Sequence, residues 1–309
     1  MSNRYLGGFI SATYNPLLVP NAPTIGTATI TFGGVTVAFT APSNVGGSAI
    51  TSYIATAKRT SDGVLFTASG ASSPITVTGL TAVAFTATVV AVNSYGPSAS
   101  SAASNSVTPF PTIGEAFGGG FFAGQIGSSS VATHNLVVGP VASAENSSIQ
   151  YKNANTATAG ADSVIDGLQN TADIVADGNA TVYPAGHFCN DLVIGGFSDW
   201  YMPAMNELEV CYYNLKPTTT SNDTNSSGIN ANAIPARASF YTTVNPAQTS
   251  ATDFRSTGAE DFAVANYWAS TELSATLGRL QNFSTGYQYN NYSVKNGLQR
   301  VRAIRRVAV

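Results

Sequence analysis

His187 and Cys189 stand at a spacing that could hold a metal ion in this 309-residue chain. Imidazole nitrogen and thiolate sulfur both bind zinc, but a zinc site takes three or four protein ligands. No second pair of such residues stands at a suitable spacing. We therefore predict no metal here and a core His187 with satisfied hydrogen bonds. Cys189 and Cys211, the two cysteines of the chain, are expected to be buried free thiols, with a disulfide between them as the alternative.

Carboxylates of the polar stretch 216–262 are the other candidates for ion binding. Calcium takes carboxylate and amide oxygens from loops, and four acids lie in this stretch: Asp223, Asp253, Glu260 and Asp261. Their spacing matches no compact acidic loop. The sequence therefore favours solvated acids over a loop calcium, and we expect no other cofactor. A loop of this length inside a compact domain is usually functional or mobile.

Motifs of common catalytic sites are absent from the sequence. There is no G-x-S-x-G elbow, no phosphate-binding P-loop and no H-E-x-x-H. The segment "GGGFFA", residues 118–123, has the letters of a relaxed dinucleotide fingerprint but lacks its strand, turn and helix. We therefore predict a protein that is not an enzyme. The alternative is a carbohydrate-active or modifying enzyme with an accessory β-domain.

The amino-acid composition indicates which kinds of partner the protein can bind. Only 9% of the residues are charged, against about 25% in an average soluble domain, so hydroxyls and amides must form much of the surface. Such a surface is typical of an extracellular or virion-surface protein. The net charge of −3 creates no field that attracts nucleic acid. No apolar run reaches the roughly 20 residues of a membrane span, and the N-terminus lacks the features of a secretory signal.

The pattern divides the chain into three parts. Residues 1–19 are predicted to form an arm that anchors the protein through Tyr5, Leu6, Phe9 and Ile10. Residues 20–110 carry short alternating segments with turns between them, which predict a β-sandwich. Residues 111–309 mix strand and helix patterns. The fold class is therefore multidomain, an all-β sandwich followed by an α+β domain.

The segments "GGSAITSYIATA", "ITVTGL" and "FTATVVAVNSYGPSASS" resemble a fibronectin type III domain over nearly its whole length. The corner tyrosine of that family falls on Phe85, which has no hydroxyl to donate a hydrogen bond. Packing must therefore hold this corner.

The blocks "TIGEAFGGGFF", "DGLQNTADI", "FCNDLVIGGFSDWYMPAMNEL", "YWAST" and "RVRAIRRV" resemble the C-terminal domain of bacterial and phage collagen-like adhesins. This family is related to C-type lectin folds. The resemblance implies a lectin-like domain with a small antiparallel sheet, two helices and paired first and last strands. Tyr201 stands where the family usually has arginine.

The motif residues of these blocks are predicted to be architectural: Asp199, Trp200, Pro203, Glu207 and Trp268. Each tryptophan indole N–H needs one acceptor. Asp199 is expected to accept loop amide protons, and Asn206 is expected to cap the helix "MNELEVCYYNL". Its apolar stripe is predicted to consist of Leu208, Cys211, Tyr212 and Leu215.

Two further stretches have competing interpretations. Arg300, Arg302, Arg305 and Arg306 alternate with apolar residues, which favours a strand whose arginines pair with local acids or carbonyls over a nucleic-acid site. The segment "NFSTGYQYNNYSVKNG" mixes aromatic and amide side chains, as binding loops do. Its predicted ligand-binding residues are Tyr287, Tyr289, Asn290, Asn291 and Tyr292. Phe283 belongs to the same aromatic and amide mixture. The alternative is an ordinary hairpin whose tyrosines pack across strands.

These patterns predict a phage virion structural protein, since the arm "NRYLGGFISAT" also resembles the openings of phage structural proteins. A tail fibre for receptor binding and a capsid decoration protein remain equal alternatives. We expect it on the virion surface, with other virion proteins and a host-surface glycan or protein as partners. We also expect adhesion by the lectin-like domain, a homotrimer and no membrane insertion.

Overall fold

The computed structural model describes residues 17–289 and 293–309. It forms two compact units, one ending at Thr112 and one spanning Ile113–Val309. The predicted anchoring residues Tyr5, Leu6, Phe9 and Ile10 lie outside the described residues. No helix in the described ranges is long and apolar enough to cross a membrane.

In its described residues, the first unit is a sandwich of seven antiparallel strands. They are β1 (Thr24–Thr31), β2 (Gly34–Thr40), β3 (Ser52–Arg59), β4 (Leu65–Gly70), β5 (Ile75–Thr78), β6 (Phe85–Asn93) and β7 (Gly96–Pro97). One sheet has the order β1-β2-β5 and the other β4-β3-β6-β7. This three-on-four arrangement is fibronectin type III-like.

Alternation of small and large apolar residues builds its core. In β6 every second residue from Phe85 onward is buried, and in β2 the inward residues are Val35, Val37 and Phe39. Phe85 is fully buried and meets the ring of Phe66 edge-on at 5.8 Å. Packing therefore holds the corner at which the family has a tyrosine hydroxyl, as predicted.

A serine repeat covers the edge of β6 beyond the short strand β7. The hydroxyls of Ser98, Ser101 and Ser104 accept hydrogen bonds from the backbone N–H groups of Ala91, Val89 and Ala87, at 2.9–3.0 Å. The backbone N–H of each serine donates to the carbonyl of the same β6 residue. The serines recur every three residues, and their partners in β6 recur every two. The backbone N–H groups of Ala87, Val89 and Ala91 at this strand edge therefore all have acceptors.

The Ser101 hydroxyl predicts a measurable contribution to stability. In Ser101→Ala, the buried N–H of Val89 loses its acceptor, which should cost about 1–3 kcal/mol. Urea unfolding of the whole protein and faster deuterium exchange at the Val89 amide would measure this. Ser100→Ala is the matched control, because Ser100 is exposed in the same repeat. Equal stability of the two variants would contradict the role of the hydroxyl.

The second unit contains two five-stranded sheets and four helices in its described residues. The strands are β8 (Ala116–Phe117), β9 (Gly120–Ser128), β10 (Val131–Val138), β11 (Glu145–Gln150), β12 (Ala233–Ile234), β13 (Asn266–Glu272), β14 (Gly278–Asn282), β15 (Gln288–Tyr289), β16 (Leu298–Arg302) and β17 (Ile304–Ala308). The helices are α1 (Val141–Ala144), α2 (Gly167–Asp177), α3 (Pro184–Asn190) and α4 (Met205–Leu215), with a 3₁₀ turn at Thr252–Phe254.

The strand order differs from the expectation that the first and last strands of this unit pair with each other. One sheet runs β12-β9-β10-β17 with β8 on β9, and the other runs β11-β16-β13-β14-β15. The last strand pairs with β10 rather than with the first strand of the unit. The reason is local: β9 and β10 form a hairpin through Ser129 and Ser130, both at positive φ. The free edge of β10 then receives β17.

Helix α4 lies between the two sheets and contacts strands of both. Its predicted stripe is confirmed, because Leu208, Cys211, Tyr212 and Leu215 are all buried. Glu207, Glu209 and Val210 are buried as well. The helix is therefore enclosed on nearly every side, and the carboxylates of Glu207 and Glu209 require partners inside the unit.

Candidate functional site

The motif at 195–208 is held by a buried carboxylate. Glu207 accepts hydrogen bonds from the backbone N–H of Ala204 (2.8 Å) and of Gly167 (3.0 Å). Its other oxygen accepts from the Tyr201 hydroxyl (2.6 Å) and Arg306 Nε (2.7 Å). Glu207 thus satisfies the helix start, and the predicted cap at Asn206 is wrong.

Other motif residues also have structural partners. Trp200 donates its indole N–H to the Phe197 carbonyl at 3.1 Å, and Trp268 donates to the Ile149 carbonyl at 2.9 Å, as predicted. Pro203 accepts from the backbone N–H of Ser270 at 2.8 Å. Both indoles are buried. These contacts agree with an architectural role for the motif.

Asp199 binds an arginine rather than the loop amides expected from the sequence. Its carboxylate accepts from Arg305 Nε (2.8 Å) and Nη2 (2.9 Å). These hydrogen bonds lower the pKa of Asp199 below its ordinary value. Arg305 also stacks on the Phe197 ring, at 3.8 Å from its centroid.

The arginines of the last two strands are paired inside the unit, as predicted. Arg300 donates to Glu145 at 2.6 Å, and Arg302 donates to the Glu260 carboxylate at 2.8 Å and the Gly139 carbonyl at 2.8 Å. Arg306 binds Glu207 and Asp166. Their guanidinium groups therefore have acidic and carbonyl partners within this chain.

The candidate metal ligands do not lie together in one cluster, and several of them already form hydrogen bonds with other groups of the unit. His187 Nε2 lies 2.7 Å from the Gly178 carbonyl, to which it must donate. Cys189 and Cys211 are buried free thiols, and burial raises the pKa of both well above the usual range. Glu260 binds Arg302, and Asp261 accepts from the Thr257 N–H at 3.0 Å. Within the described ranges, no three His, Cys, Asp or Glu side chains form a group that could hold a metal ion.

The predicted ligand-binding hairpin lies at the edge of a sheet, since β15 is the last strand in its order. Tyr287 is partly buried, and the backbone of Tyr289 pairs with Leu280. Asn290, Asn291 and Tyr292 lie outside the described residues. Phe283, in contrast, is fully buried and stacks on Phe262 at 4.0 Å.

Two residues of the long loop hold this hairpin. The Ser227 hydroxyl accepts from the Gln288 N–H at 3.0 Å and donates to the Asp223 carboxylate at 3.0 Å. The Asp223 backbone N–H donates to the Thr285 carbonyl at 2.8 Å. We name Asp223 and Ser227 the hairpin latch. The sequence marked both stretches as functional candidates but gave no signal that they touch.

The long loop itself is anchored on α4. Buried Glu209 accepts from the Asn230 side chain (2.6 Å) and the Tyr241 hydroxyl (2.7 Å), and it also binds Arg237. Burial and Glu209 raise the pKa of the Tyr241 hydroxyl well above its usual value, so Tyr241 remains a donor.

A second anchor of the loop is buried Lys216. Its ammonium donates to the Thr220 carbonyl and the Asn222 side-chain oxygen, each at 2.6 Å. Burial lowers the pKa of Lys216. The loop from 216 to 262 is therefore packed, although it contains little regular secondary structure.

Exposed apolar side chains project from this packed loop. Phe240 is 46% exposed and Val244 is 75% exposed. The neighbouring residue Asn245 accepts a hydrogen bond from the Tyr213 hydroxyl at 3.3 Å. We define the hairpin–loop surface as Tyr213, Phe240, Val244, Asn245 and Tyr287. It combines aromatic, apolar and amide groups on a backbone that the latch and Glu209 hold.

Comparisons with known proteins show similarity to solved structures over about a third of this chain. No family model matches the chain, and no curated protein matches it. Among solved structures, titin domains A168–A170 are 23% identical, with 30% of this chain and 33% of that chain covered and a TM-score of 0.28. Module A71 of titin from human cardiac muscle is 30% identical, with 30% and 91% covered and a TM-score of 0.26.

A human fourth fibronectin type III domain is 22% identical, with 36% of this chain and 95% of that chain covered and a TM-score of 0.28. This chain spans a third or less of the length of the first solved structures that it matches. The strand order of the first unit makes it fibronectin type III-like.

The Asp199–Arg305 pair predicts a pH dependence of stability. Because the pKa of Asp199 is lower in the folded protein, its contribution is present above the unfolded pKa of about 4 and is lost as pH falls through the folded value. In Asp199→Asn, the free energy of unfolding should therefore fall less than in the parent protein when the pH drops below about 4. Urea unfolding midpoints at several pH values would measure it.

The control for this experiment is Asp162→Asn. Asp162 is exposed, and it forms no ion pair with an arginine or lysine of the described residues. It should keep the acid sensitivity of the parent protein. If Asp199→Asn loses stability with acid as steeply as the parent, the pair makes no pH-dependent contribution.

Proposed function

We propose that this chain is a non-catalytic structural protein of a phage particle whose second unit is a lectin-like binding module. In this proposal the N-terminal arm attaches the chain to other virion proteins and the fibronectin type III-like unit acts as a spacer. The second unit contacts a glycan or protein on the host surface. The hairpin–loop surface is the contact face, in a tail fibre or a capsid decoration protein.

The observation that carries the proposal is the fixed geometry of the hairpin–loop surface. The latch joins the hairpin to the loop, and Glu209 joins the loop to α4. Exposed Phe240 and Val244 therefore stand on an ordered backbone. A surface that is ordered before binding loses less conformational entropy when it binds. Aromatic rings stack on sugar faces or on apolar protein groups, and amides hydrogen-bond to hydroxyls.

The chemistry of the surface supports adhesion rather than catalysis. Its members are phenol, phenyl, aliphatic and amide groups, which bind ligands through contact area and hydrogen bonds. Binding of this kind requires no metal ion and no cofactor. The low charge of the whole chain is the support for a virion-surface location. The apolar residues of the arm are the support for a homotrimer, since apolar side chains favour burial against another subunit.

Two sets of substitutions test the binding face. Tyr287, Tyr289 and Tyr292 changed together to Ala, and separately Phe240 and Val244 changed to Ser, should each weaken binding at least tenfold. Such losses correspond to about 1.4 kcal/mol. The melting temperature of the Phe240 and Val244 variant should stay within about 2 °C of the parent, since these two exposed side chains contribute little to the core. Labelled protein on a bacterial cell panel and on a glycan array would provide the measurement.

Val131→Ser is the control, because Val131 is exposed at the start of β10 in the same unit and outside this surface. It should bind like the parent protein. Unchanged binding in both test variants, with intact folding, would remove the hairpin–loop surface as the contact face. A large fall in melting temperature of the tyrosine variant would instead indicate an ordinary packed hairpin.

The arm is tested in the particle. Deletion of residues 1–19 should abolish incorporation of the chain into virions, because the proposed attachment uses Tyr5, Leu6, Phe9 and Ile10. Mass spectrometry of purified particles would measure its occupancy against that of another structural protein. Normal occupancy of the deleted protein would show that attachment does not need the arm.

A further inference from the structure

A cavity at the end of the β9–β10 hairpin is lined by polar atoms that have no hydrogen-bond partner among the described residues. Its volume is about 190 Å³, and its lining includes Ile126, His134, Ile165, Asp166 and Arg306. It contains none of the residues of the hairpin–loop surface. The cavity has room for about six water molecules, at roughly 30 Å³ each.

Arg306 lines the cavity and is held by three hydrogen bonds. Its Nε donates to Glu207 at 2.7 Å and its Nη1 donates to Asp166 at 3.2 Å. Its Nη2 donates to the Ile165 carbonyl. An arginine with every nitrogen engaged positions its neighbours. Here it holds Asp166 at the cavity wall, and the negative charge of that carboxylate disfavours an anionic ligand.

Asp166 offers one free carboxylate oxygen. Its Oδ1 accepts from the Gln169 backbone N–H at 3.1 Å and from Arg306. Its Oδ2 has no hydrogen-bond partner among the described residues. The side chain is 44% exposed, so this oxygen is open to an incoming donor. Asp166 therefore has two separate uses, to start α2 with one oxygen and to face the cavity with the other.

His134 offers a second acceptor. Its Nδ1 lies 3.0 Å from the Thr133 hydroxyl, and that hydroxyl donates to the Ile126 carbonyl at 3.2 Å. A hydroxyl that donates elsewhere must accept from Nδ1, so Nδ1 carries the proton. Burial, with Arg306 adding to it, lowers the pKa of His134. The neutral ring then has a lone pair on Nε2, which has no partner in the described part of the chain.

Two acceptors beside isoleucine side chains suit a ligand with hydroxyl donors. A cationic ligand is disfavoured, because the Arg306 guanidinium lies in the same lining, 3.2 Å from Asp166 Oδ1. Sugars combine neighbouring hydroxyl donors with apolar C–H faces, and a volume of about 190 Å³ is enough for one ring. We infer that this cavity binds a single sugar ring through donors to Asp166 Oδ2 and His134 Nε2, with the exposed side chain of Ile165 against its C–H face.

This inference deepens the proposed function by naming a sugar ligand of the second unit, at a site separate from the hairpin–loop surface. The test uses imidazole nitrogen NMR of the full chain, which has only two histidines. The probes are the methyl glycosides of glucose, galactose, mannose and N-acetylglucosamine, with tetramethylammonium as a cationic probe. At least one glycoside should shift the His134 Nε2 resonance in a saturable manner, while His187 remains unchanged as an internal reference.

Matched variants identify the groups that bind. Asp166→Asn keeps an oxygen for the Gln169 N–H but replaces the free acceptor with a donor, and it should weaken the glycoside response at least tenfold. Asp162→Asn, which changes an exposed carboxylate outside the cavity lining, should leave it unchanged. Tyr287→Ala should also leave it unchanged, which separates this cavity from the hairpin–loop surface.

Three results would overturn the inference: no response of His134 to any glycoside, a response to tetramethylammonium alone, or an undiminished response in Asp166→Asn. Cell binding by the hairpin and loop variants is measured independently of these resonances. Failure of the cavity therefore leaves the hairpin–loop surface to stand on its own data, and failure of that surface leaves the cavity result intact.

Discussion

The carboxylate of Glu207 is the contact on which the second unit depends. It is fully buried, and it accepts hydrogen bonds from the starts of α2 and α4, from Tyr201 and from Arg306 on the last strand. Burial raises the pKa of this carboxyl, and the arginine and the other donors oppose that effect. An ionised carboxylate without those donors would be costly inside a protein. The four partners are therefore held in one arrangement, which brings β17 and both helix starts together.

The same helix extends this order to the long loop. Glu209 lies two residues after Glu207, and residues at this spacing do not share a helix face. Its carboxylate therefore reaches different neighbours, Asn230, Arg237 and Tyr241. Tyr241 in turn donates its backbone N–H to the Ser227 carbonyl, and Ser227 belongs to the hairpin latch. A chain of contacts thus connects α4 with the hairpin, so a loop without regular structure can present a defined surface.

Local patterns were sufficient for part of this structure. Alternation predicted the sandwich strands, helical spacing predicted the stripe of α4, and charge alternation predicted that the C-terminal arginines pair internally. The partners were not predictable, because Arg305 and Asp199 are separated by 106 residues. Asn206 was a reasonable cap by local preference, but Glu207 also reaches Gly167 and Arg306, which no local rule contains. The sequence gives no sign that Phe283 is buried, because the rings that pack on it, Tyr212, Phe262 and Tyr267, come from other parts of the chain.

The scarcity of charge on this chain and its internal use are connected. Lys295 pairs with Glu272, Arg302 with Glu260 and Arg305 with Asp199, while Lys216 is buried among carbonyl oxygens. Charges used as internal links are not available as a surface field, so the exposed groups are mostly hydroxyls, amides and apolar side chains. Such groups do not attract partners over a distance, and they discriminate between ligands only when donors and acceptors are held in place. The latch, Glu209 and Arg306 provide that fixation, and for this reason the proposed binding surfaces lie where buried charges support them.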